Sequence, residues 1–339
     1  MSPLIPLHGG CPRGRSIRHD LSTNANQLGP CPSVLAEVRA ADFSKYPDPE
    51  YRELRAALAA RHEVSPERVV VGAGASELIL RLVRRHAGPV RVLGPSFSEY
   101  ARCARLEERA YSEITDPATF AATQRSDDGI GFACWPNNPT GDAWPHALIA
   151  EAARRGLLAV DLAYAPFCSD HARAHSEKAA TNAYRLYSPN KTFGLTGLRA
   201  AYLIMPRPDE RLPWLGASWS VDAAGVRFLH ATLTPEADAW LAACRPVLQE
   251  RRSHFAEQLR IDGIEVRESP ANFLLARLGD PSLVVPALEE RGVALRDATS
   301  FGLRGWFRLA APLADAADEV LAAILAARAE AQAAYSAAR

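Results

Sequence analysis

Lysine is the scarce basic residue of this chain. Of 39 Lys and Arg side chains, only Lys45, Lys178 and Lys191 are lysines. A reaction that needs a primary amine therefore has three candidates. Lys45 stands beside Tyr46, and Lys178 lies in the polar run HARAHSEKAA, so both read as solvated surface groups. Lys191 reads differently. It follows the strand-like run AYRLY, sits in a Gly-rich segment and has Phe193, Leu195 and Leu198 as neighbours, with Arg199 eight residues on. A lysine in apolar surroundings tends to have a lowered pKa and suits Schiff-base chemistry.

Three other segments offer partners for it. In VVVGAGASELI, Gly72-x-Gly74 follows a strand and opens a helix, with Ser76 as its expected N-cap. Such a turn points backbone N–H groups and a helix N-terminus at an anion, usually a phosphate. A dinucleotide fingerprint would need a third glycine where Glu77 stands, which weakens that reading and leaves phosphate site and plain tight turn open. In Trp135-Pro-Asn-Asn-Pro-Thr-Gly141, a sharp turn ends a strand and presents Asn138. In Asp161-Leu-Ala-Tyr164, a carboxylate ends the apolar run LLAV, where burial is costly unless a cation or hydrogen bonds compensate it. An anion cradle, a buried carboxylate, an Asn and Tyr pair and a desolvated lysine together match the needs of pyridoxal 5′-phosphate. Its phosphate needs N–H donors and a cation, its ring nitrogen a carboxylate, its phenolic oxygen donors, and its aldehyde an amine.

The elements that must position these groups follow from the pattern of apolar residues. RVVVG, VRVLG, GIGFACW, LLAVD, YRLYS and AAYLIM read as strands that alternate with amphipathic helical stretches. That alternation means βαβ units and a mostly parallel sheet. After about residue 232 the texture becomes α+β. A long helical stretch (235–260) precedes the strand pair IEVRES and NFLLARL, a helix (282–291), the short strands VALRD and WFRLA, and an Ala-rich helix striped by Val320, Leu321, Ile324 and Leu325. The first 35 residues, rich in Gly, Pro and Asn, read as an irregular arm.

The 339 residues carry 39 acidic groups against the 39 basic ones, which argues against a nucleic-acid or anionic-membrane protein. No run reaches the ~18 apolar residues of a membrane span, and the N-terminus lacks a secretory pattern. The six cysteines show no metal-ligand spacing and read as reduced, with several of them buried. The expected location is cytoplasmic. A pyridoxal-phosphate-binding regulator would need a basic DNA-binding module, which is absent. A nicotinamide oxidoreductase would leave Lys191 and Asp161 without a purpose.

With these four motifs in this order, the chain resembles, nearly end to end, the fold-type I pyridoxal-phosphate enzymes of the class I/II aminotransferase group. The resemblance implies an α/β fold with three parts. These are an N-terminal arm (1–45) near the small domain and active site, a large cofactor domain with a mostly parallel sheet (46–232), and a small α+β domain (233–339). It implies that Lys191 takes the cofactor's aldehyde, Asp161 pairs with the ring nitrogen, and Asn138 and Tyr164 contact the phenolic oxygen. Gly74, Ala75, Ser76, Ser188 and Arg199 match the phosphate site. Phe97, in PSFSEY, matches the aromatic that stacks on the ring. Tyr46, in KYPDPEY, matches a tyrosine that reaches the cofactor of the other subunit, so a homodimer is implied.

Two subfamilies compete. His8-Gly9-Gly10, the stretch from Asp20 through Asn24 and Asn26 to Gly29, the run YPDPEYRELRAALA, WSV (219–221) and ANFLLARL are similar to threonine-phosphate decarboxylases. Histidinol-phosphate aminotransferases are the alternative. The first resemblance implies decarboxylation of L-threonine O-3-phosphate in cobalamin biosynthesis. His8, Asn24, Arg296 and Arg308 would then bind substrate, the two arginines because guanidinium forks suit phosphate and carboxylate. Arg304 reads as surface charge. Asn190 stands where Ser or Thr usually precedes the lysine, and Cys11 where Asn is usual.

Overall fold

The computed structural model describes residues 16–126 and 128–337. His8 and Cys11 therefore lie outside the described residues. In chain order the elements begin with β1 (His19–Asp20), α1 (Pro32–Arg39), α2 (Arg52–Arg61), β2 (Val69–Gly72), α3 (Ala75–Arg85), β3 (Val90–Leu93), α4 (Ser98–Leu106), β4 (Tyr111–Ile114), α5 (Pro117–Thr123), β5 (Ile130–Cys134) and α6 (His146–Arg155). They continue with β6 (Leu157–Asp161), α7 (Asp170–Ala179), β7 (Tyr184–Tyr187), α8 (Pro189–Thr192), β8 (Ala201–Ile204), α9 (Arg211–Trp214) and α10 (Ala223–Ala231). The last third holds α11 (Pro235–Ile261), β9 (Val266–Glu268), β10 (Phe273–Arg277), α12 (Pro281–Glu290), β11 (Val293–Ala294), β12 (Arg296–Asp297), β13 (Trp306–Ala310) and α13 (Ala317–Ala337).

A seven-stranded sheet in the order β2-β8-β7-β6-β5-β3-β4 organises the larger part. Its strands run parallel except β8, which is antiparallel to both neighbours. Helices cover both faces, so the strands are apolar on both sides, as the continuous Val, Leu and Ile runs require. Alternation along one strand shows the arrangement: Val69 and Val71 join one core with α2, α6 and α10, while Val70 joins the opposite one with α3 and α4. A four-stranded antiparallel sheet, β12-β13-β10-β9, carries the smaller part. Its core is built with α12 and α13, on which Val320 and Ile324 are fully buried and Leu321 and Leu325 partly so.

Some elements differ from the sequence reading. β4, α5 and α7 were not expected; β4 is a mostly exposed edge strand with a polar sequence, which hides its signal. The arm is not irregular throughout. β1 pairs in parallel with β11, and Pro32 starts α1, whose Val34 is buried in the large core. Ser76 is not the N-cap of α3; Gly74 takes that position with φ +94, a conformation that glycine adopts without steric cost. The α11 helix crosses between cores: Ala237 packs with the large sheet, and Phe255 and Leu259 with the small one. The cysteines within the described residues are all buried free thiols. Among the described residues, no helix is long and apolar enough to cross a membrane.

One buried histidine couples this fold to pH. His62, just after α2, packs against Tyr187 and shares a 3.0 Å hydrogen bond with Tyr202 Oη. Burial, helped by the nearby Arg185, Arg61 and Arg173, holds its pKa down at about 3. Between pH 6.5 and about 3 the unfolded chain binds a proton that the folded chain refuses. Its contribution to stability is thus lost as pH falls through that window. The His62→Gln variant should show a shallower loss of denaturation midpoint over the same window, by the slope of one proton.

Candidate active site

The four motifs converge because β2, β5, β6 and β7 are parallel to one another and end at one edge of the sheet. Open α/β sheets bind ligands at such carboxyl ends. There they line a cavity of about 390 Å³. Lys191 comes from the single turn α8 that follows β7. Its Nζ lies 5.6 Å from the Tyr164 ring centroid. Burial lowers its pKa, as do Arg199 and Arg308, while Asp161 opposes them. Asp161 caps β6 and is itself pushed up by burial. Two hydrogen bonds oppose that shift: Ala163 N–H donates to Oδ1 at 3.0 Å and Tyr100 Oη to Oδ2 at 2.9 Å.

The α3 end of the cavity is shaped by Gly74. A Cβ placed there would lie 2.6 Å from Arg199 Nη2, so the guanidinium rests against the glycine backbone. Ala75, Ser76, Ser188 and Arg199 line this part of the wall. Gly74 does not line it, but leaves room for the arginine. Phe97, just before α4, lines the cavity as well.

The N-terminal segment straps the site together. Asn26 N–H donates to Lys191 O at 2.9 Å and its Nδ2 to Thr192 O at 3.1 Å, which ties the strap to the lysine turn. Gly29 and Gly194 touch backbone to backbone, with 2.9 Å from a Cβ at Gly194 to Gly29 Cα, so neither tolerates a side chain. Asn272 Nδ2 donates to the carbonyls of Asn24 and Ala25. The Asn24 amide itself is buried and lines the cavity beside the Tyr164 hydroxyl.

The opposite wall comes from the small part of the molecule. Arg308, on β13, is 5 % exposed. It donates to Asn138 Oδ1, 170 residues away, and through Nη2 to Ser22 O at 2.6 Å. Its Nε is buried and unpartnered. Asn138 Oδ1 is occupied in this way, so its Nδ2–H donors are what it can offer a ligand. Arg296, paired with Arg308 across β12 and β13, donates to Ser300 Oγ at 2.8 Å, and its guanidinium lies 5.1 Å from the Phe301 ring centre. Tyr164 is fully buried, and burial raises the pKa of its hydroxyl, which therefore stays a donor.

Tyr46 and Arg304 stand elsewhere, whereas Asn190 lines the cavity. Tyr46 is 82 % exposed, away from this cavity, with its ring 5.0 Å from that of Trp219. Arg304 is exposed and paired with Asp280. Asn190 Nδ2 donates to Leu198 O at 3.3 Å, bracing the loop after the lysine. The sequence reading missed Ser22, Thr23, Cys134, Thr196 and Phe301 on the wall, and Tyr100 beneath Asp161.

The donor set fits pyridoxal phosphate. A buried amine stands close to a carboxylate with both oxygens oriented, and an arginine sits against a glycine cradle at a helix start. The aminotransferase class I and II family model matches residues 17–325. The chain belongs to this family. It is therefore an enzyme of a pyridoxal-phosphate-dependent family. Among the relatives of this class I/II enzyme, a histidinol-phosphate aminotransferase from Nitratidesulfovibrio vulgaris is 33 % identical over 87 % of this chain and 84 % of its own. Two solved structures share the fold. Histidinol-phosphate aminotransferase from Sinorhizobium meliloti, in complex with pyridoxal 5′-phosphate, has a TM-score of 0.80 at 22 % identity, covering 93 % of this chain and 92 % of its own. L-threonine-O-3-phosphate decarboxylase from Porphyromonas gingivalis has a TM-score of 0.79 at 23 % identity, covering 90 % of this chain and 97 % of its own.

Proposed function

We propose that this enzyme decarboxylates L-threonine O-3-phosphate to (R)-1-amino-2-propanol O-2-phosphate and CO2, a step of cobalamin biosynthesis in the cytoplasm. The charge of the cavity wall carries the reading. Lys191, Arg199, Arg296 and Arg308 face it, against the single carboxylate of Asp161 among the described lining residues. Lys191 and Arg199 are accounted for by the cofactor's aldehyde and phosphate. Arg296 and Arg308 remain, and a substrate with both a carboxylate and a phosphate suits two guanidiniums.

In this reading Lys191, Asp161 and Tyr164 are the catalytic groups. Ala75, Ser76, Ser188 and Arg199 hold the cofactor phosphate, with Gly74 making room for the arginine, Phe97 covers the ring, and Asn138 with Tyr164 serves the phenolic oxygen. Bound pyridoxal phosphate supplies an electron sink for the bond that breaks at the substrate α-carbon. Arg296, Arg308 and the Asn24 amide hold the anionic ends, and so decide which bond at that carbon is presented for cleavage. The Arg308–Asn138 hydrogen bond joins substrate and cofactor sites through one contact. Lys191 Nζ, the amine of the cavity, returns a proton to the carbon once CO2 has left. His8 adds a phosphate contact on the strength of the sequence resemblance. The exposed Tyr46–Trp219 pair supports a homodimer in which Tyr46 reaches the partner's cofactor.

A second reading is favoured by the relatives, which are mostly histidinol-phosphate aminotransferases. Histidinol phosphate has a phosphate and no carboxylate, so one arginine would serve the oxo-acid acceptor instead. Mass spectrometry separates the two. Cofactor-loaded enzyme given L-threonine O-3-phosphate and no oxo acid should turn over repeatedly to a product lighter by one CO2. Absence of that product, with amino transfer from histidinol phosphate to an oxo acid, would establish the second reading.

A further inference from the structure

We propose that Tyr100 is a positioning residue, whose hydroxyl fixes the Asp161 carboxylate in the orientation that the cofactor's ring nitrogen requires. This rests on the role proposed for Asp161. The geometry is specific. Tyr100 is on α4, is fully buried and donates to Asp161 Oδ2 at 2.9 Å, across 61 residues of sequence. Ala163 N–H holds the other oxygen at 3.0 Å. With one donor on each oxygen, the carboxylate plane cannot turn, and the remaining lone pairs point in set directions.

The ring of Tyr100 is held as firmly as its hydroxyl. It stacks on Phe132 of β5 at 4.9 Å and 17°, and meets Phe97 edge-on at 5.8 Å and 90°. One side chain thus braces both the carboxylate and the aromatic proposed to cover the cofactor ring. Burial raises the hydroxyl's pKa well above its ordinary value, so Tyr100 remains a donor across the working pH range. The other groups that face Asp161 are Lys191 from α8, Cys134 from β5 and Tyr164 from the loop after β6. The Cys134 thiol donates to Pro136 O at 3.3 Å and also lies within hydrogen-bond reach of the Tyr100 hydroxyl. Among the side chains of the described residues, Tyr100 makes the hydrogen bond to Asp161. A donor to a carboxylate favours its ionised form, and an ionised Asp161 is what keeps a ring nitrogen protonated.

The test uses Tyr100→Phe, which removes one oxygen and keeps the ring packing, with Asp161→Asn and the double variant. The first readout is pyridoxal phosphate affinity of the apo-protein, by equilibrium dialysis. The second is the acid limb of the pH profile of kcat/KM. Tyr100→Phe should weaken cofactor binding by about tenfold, the usual scale of one hydrogen bond to a charged group. It should also move the acid limb to higher pH, because the carboxylate loses a donor. In the Asp161→Asn background, deletion of the hydroxyl should change affinity by less than about twofold. Wild-type affinity and an unmoved limb in Tyr100→Phe would overturn the proposal, as would an equal loss in both backgrounds, which marks packing alone. Wild-type affinity in Asp161→Asn would instead sink the role of Asp161, and this inference with it.

Discussion

Replacement of Lys191 by alanine should abolish turnover, by about 10⁴-fold or more, the upper end of what a positioned acid–base group supplies by itself. Among the described lining residues there is no second amine. The chain has only two other lysines, and neither lines the wall. Lys45 is exposed and lies 3.8 Å from Asp42, and Lys178 is exposed on α7. The same variant should lose the visible absorbance of a cofactor held covalently by the protein. Borohydride treatment should then leave no cofactor attached to the chain by mass spectrometry. Circular dichroism should be unchanged, since α8 is tied down by backbone contacts to Asn26 rather than by the lysine side chain. A variant that kept both the band and turnover would remove Lys191 from the chemistry.

Arg308→Gln should lower kcat/KM for the phosphorylated amino acid by about 10²- to 10³-fold, roughly 3–4 kcal/mol, within the range for truncating one partner of a buried charge pair. Burial lowers the pKa of this guanidinium, while Tyr164, Asp20 and Cys134 oppose the shift. Its two described hydrogen bonds reach the strap at Ser22 and the turn at Asn138. Loss of the fork therefore removes the proposed substrate anchor and also frees the Asn138 amide to turn. The effect should appear mostly in KM if Arg308 only binds, and in kcat as well if the freed Asn138 misplaces the cofactor. Lysine at this position should rescue little, because a point charge cannot bridge two acceptors held in fixed planes. Steady-state kinetics that match wild type would show that substrate is anchored elsewhere.

Much of the cavity lining was legible in the sequence alone. A parallel sheet brings the C-terminal ends of its strands to one edge, so short motifs after VVVG, IGFAC, LLAVD and YRLY must meet wherever the intervening helices run. Each motif also carried a local signal. The signals were glycines at a tight turn, prolines around Asn138, a carboxylate ending an apolar strand and a lysine among apolar neighbours. Local patterns failed where the signal was not local. The polar edge strand β4 lacked an apolar pattern, and the N-cap of α3 moved from Ser76 to Gly74, because only a positive φ brings the turn up to Arg199.

The sequence by itself determined that Lys191, Asp161, Asn138 and Tyr164 meet at the strand ends, because strand direction brings those ends to one edge of the sheet. Family resemblance pointed to Arg296 and Arg308 among 36 arginines, but their burial in the cavity wall and their bonds to Ser300, Asn138 and Ser22 come from the tertiary structure. It alone tied the strap to Asn272 at the Asn24 carbonyl and to Arg308 at the Ser22 carbonyl. It alone brought Tyr100 to Asp161. These contacts join segments tens to hundreds of residues apart, and they form only when two cores and the strap that crosses them have packed. No spacing along the chain records them.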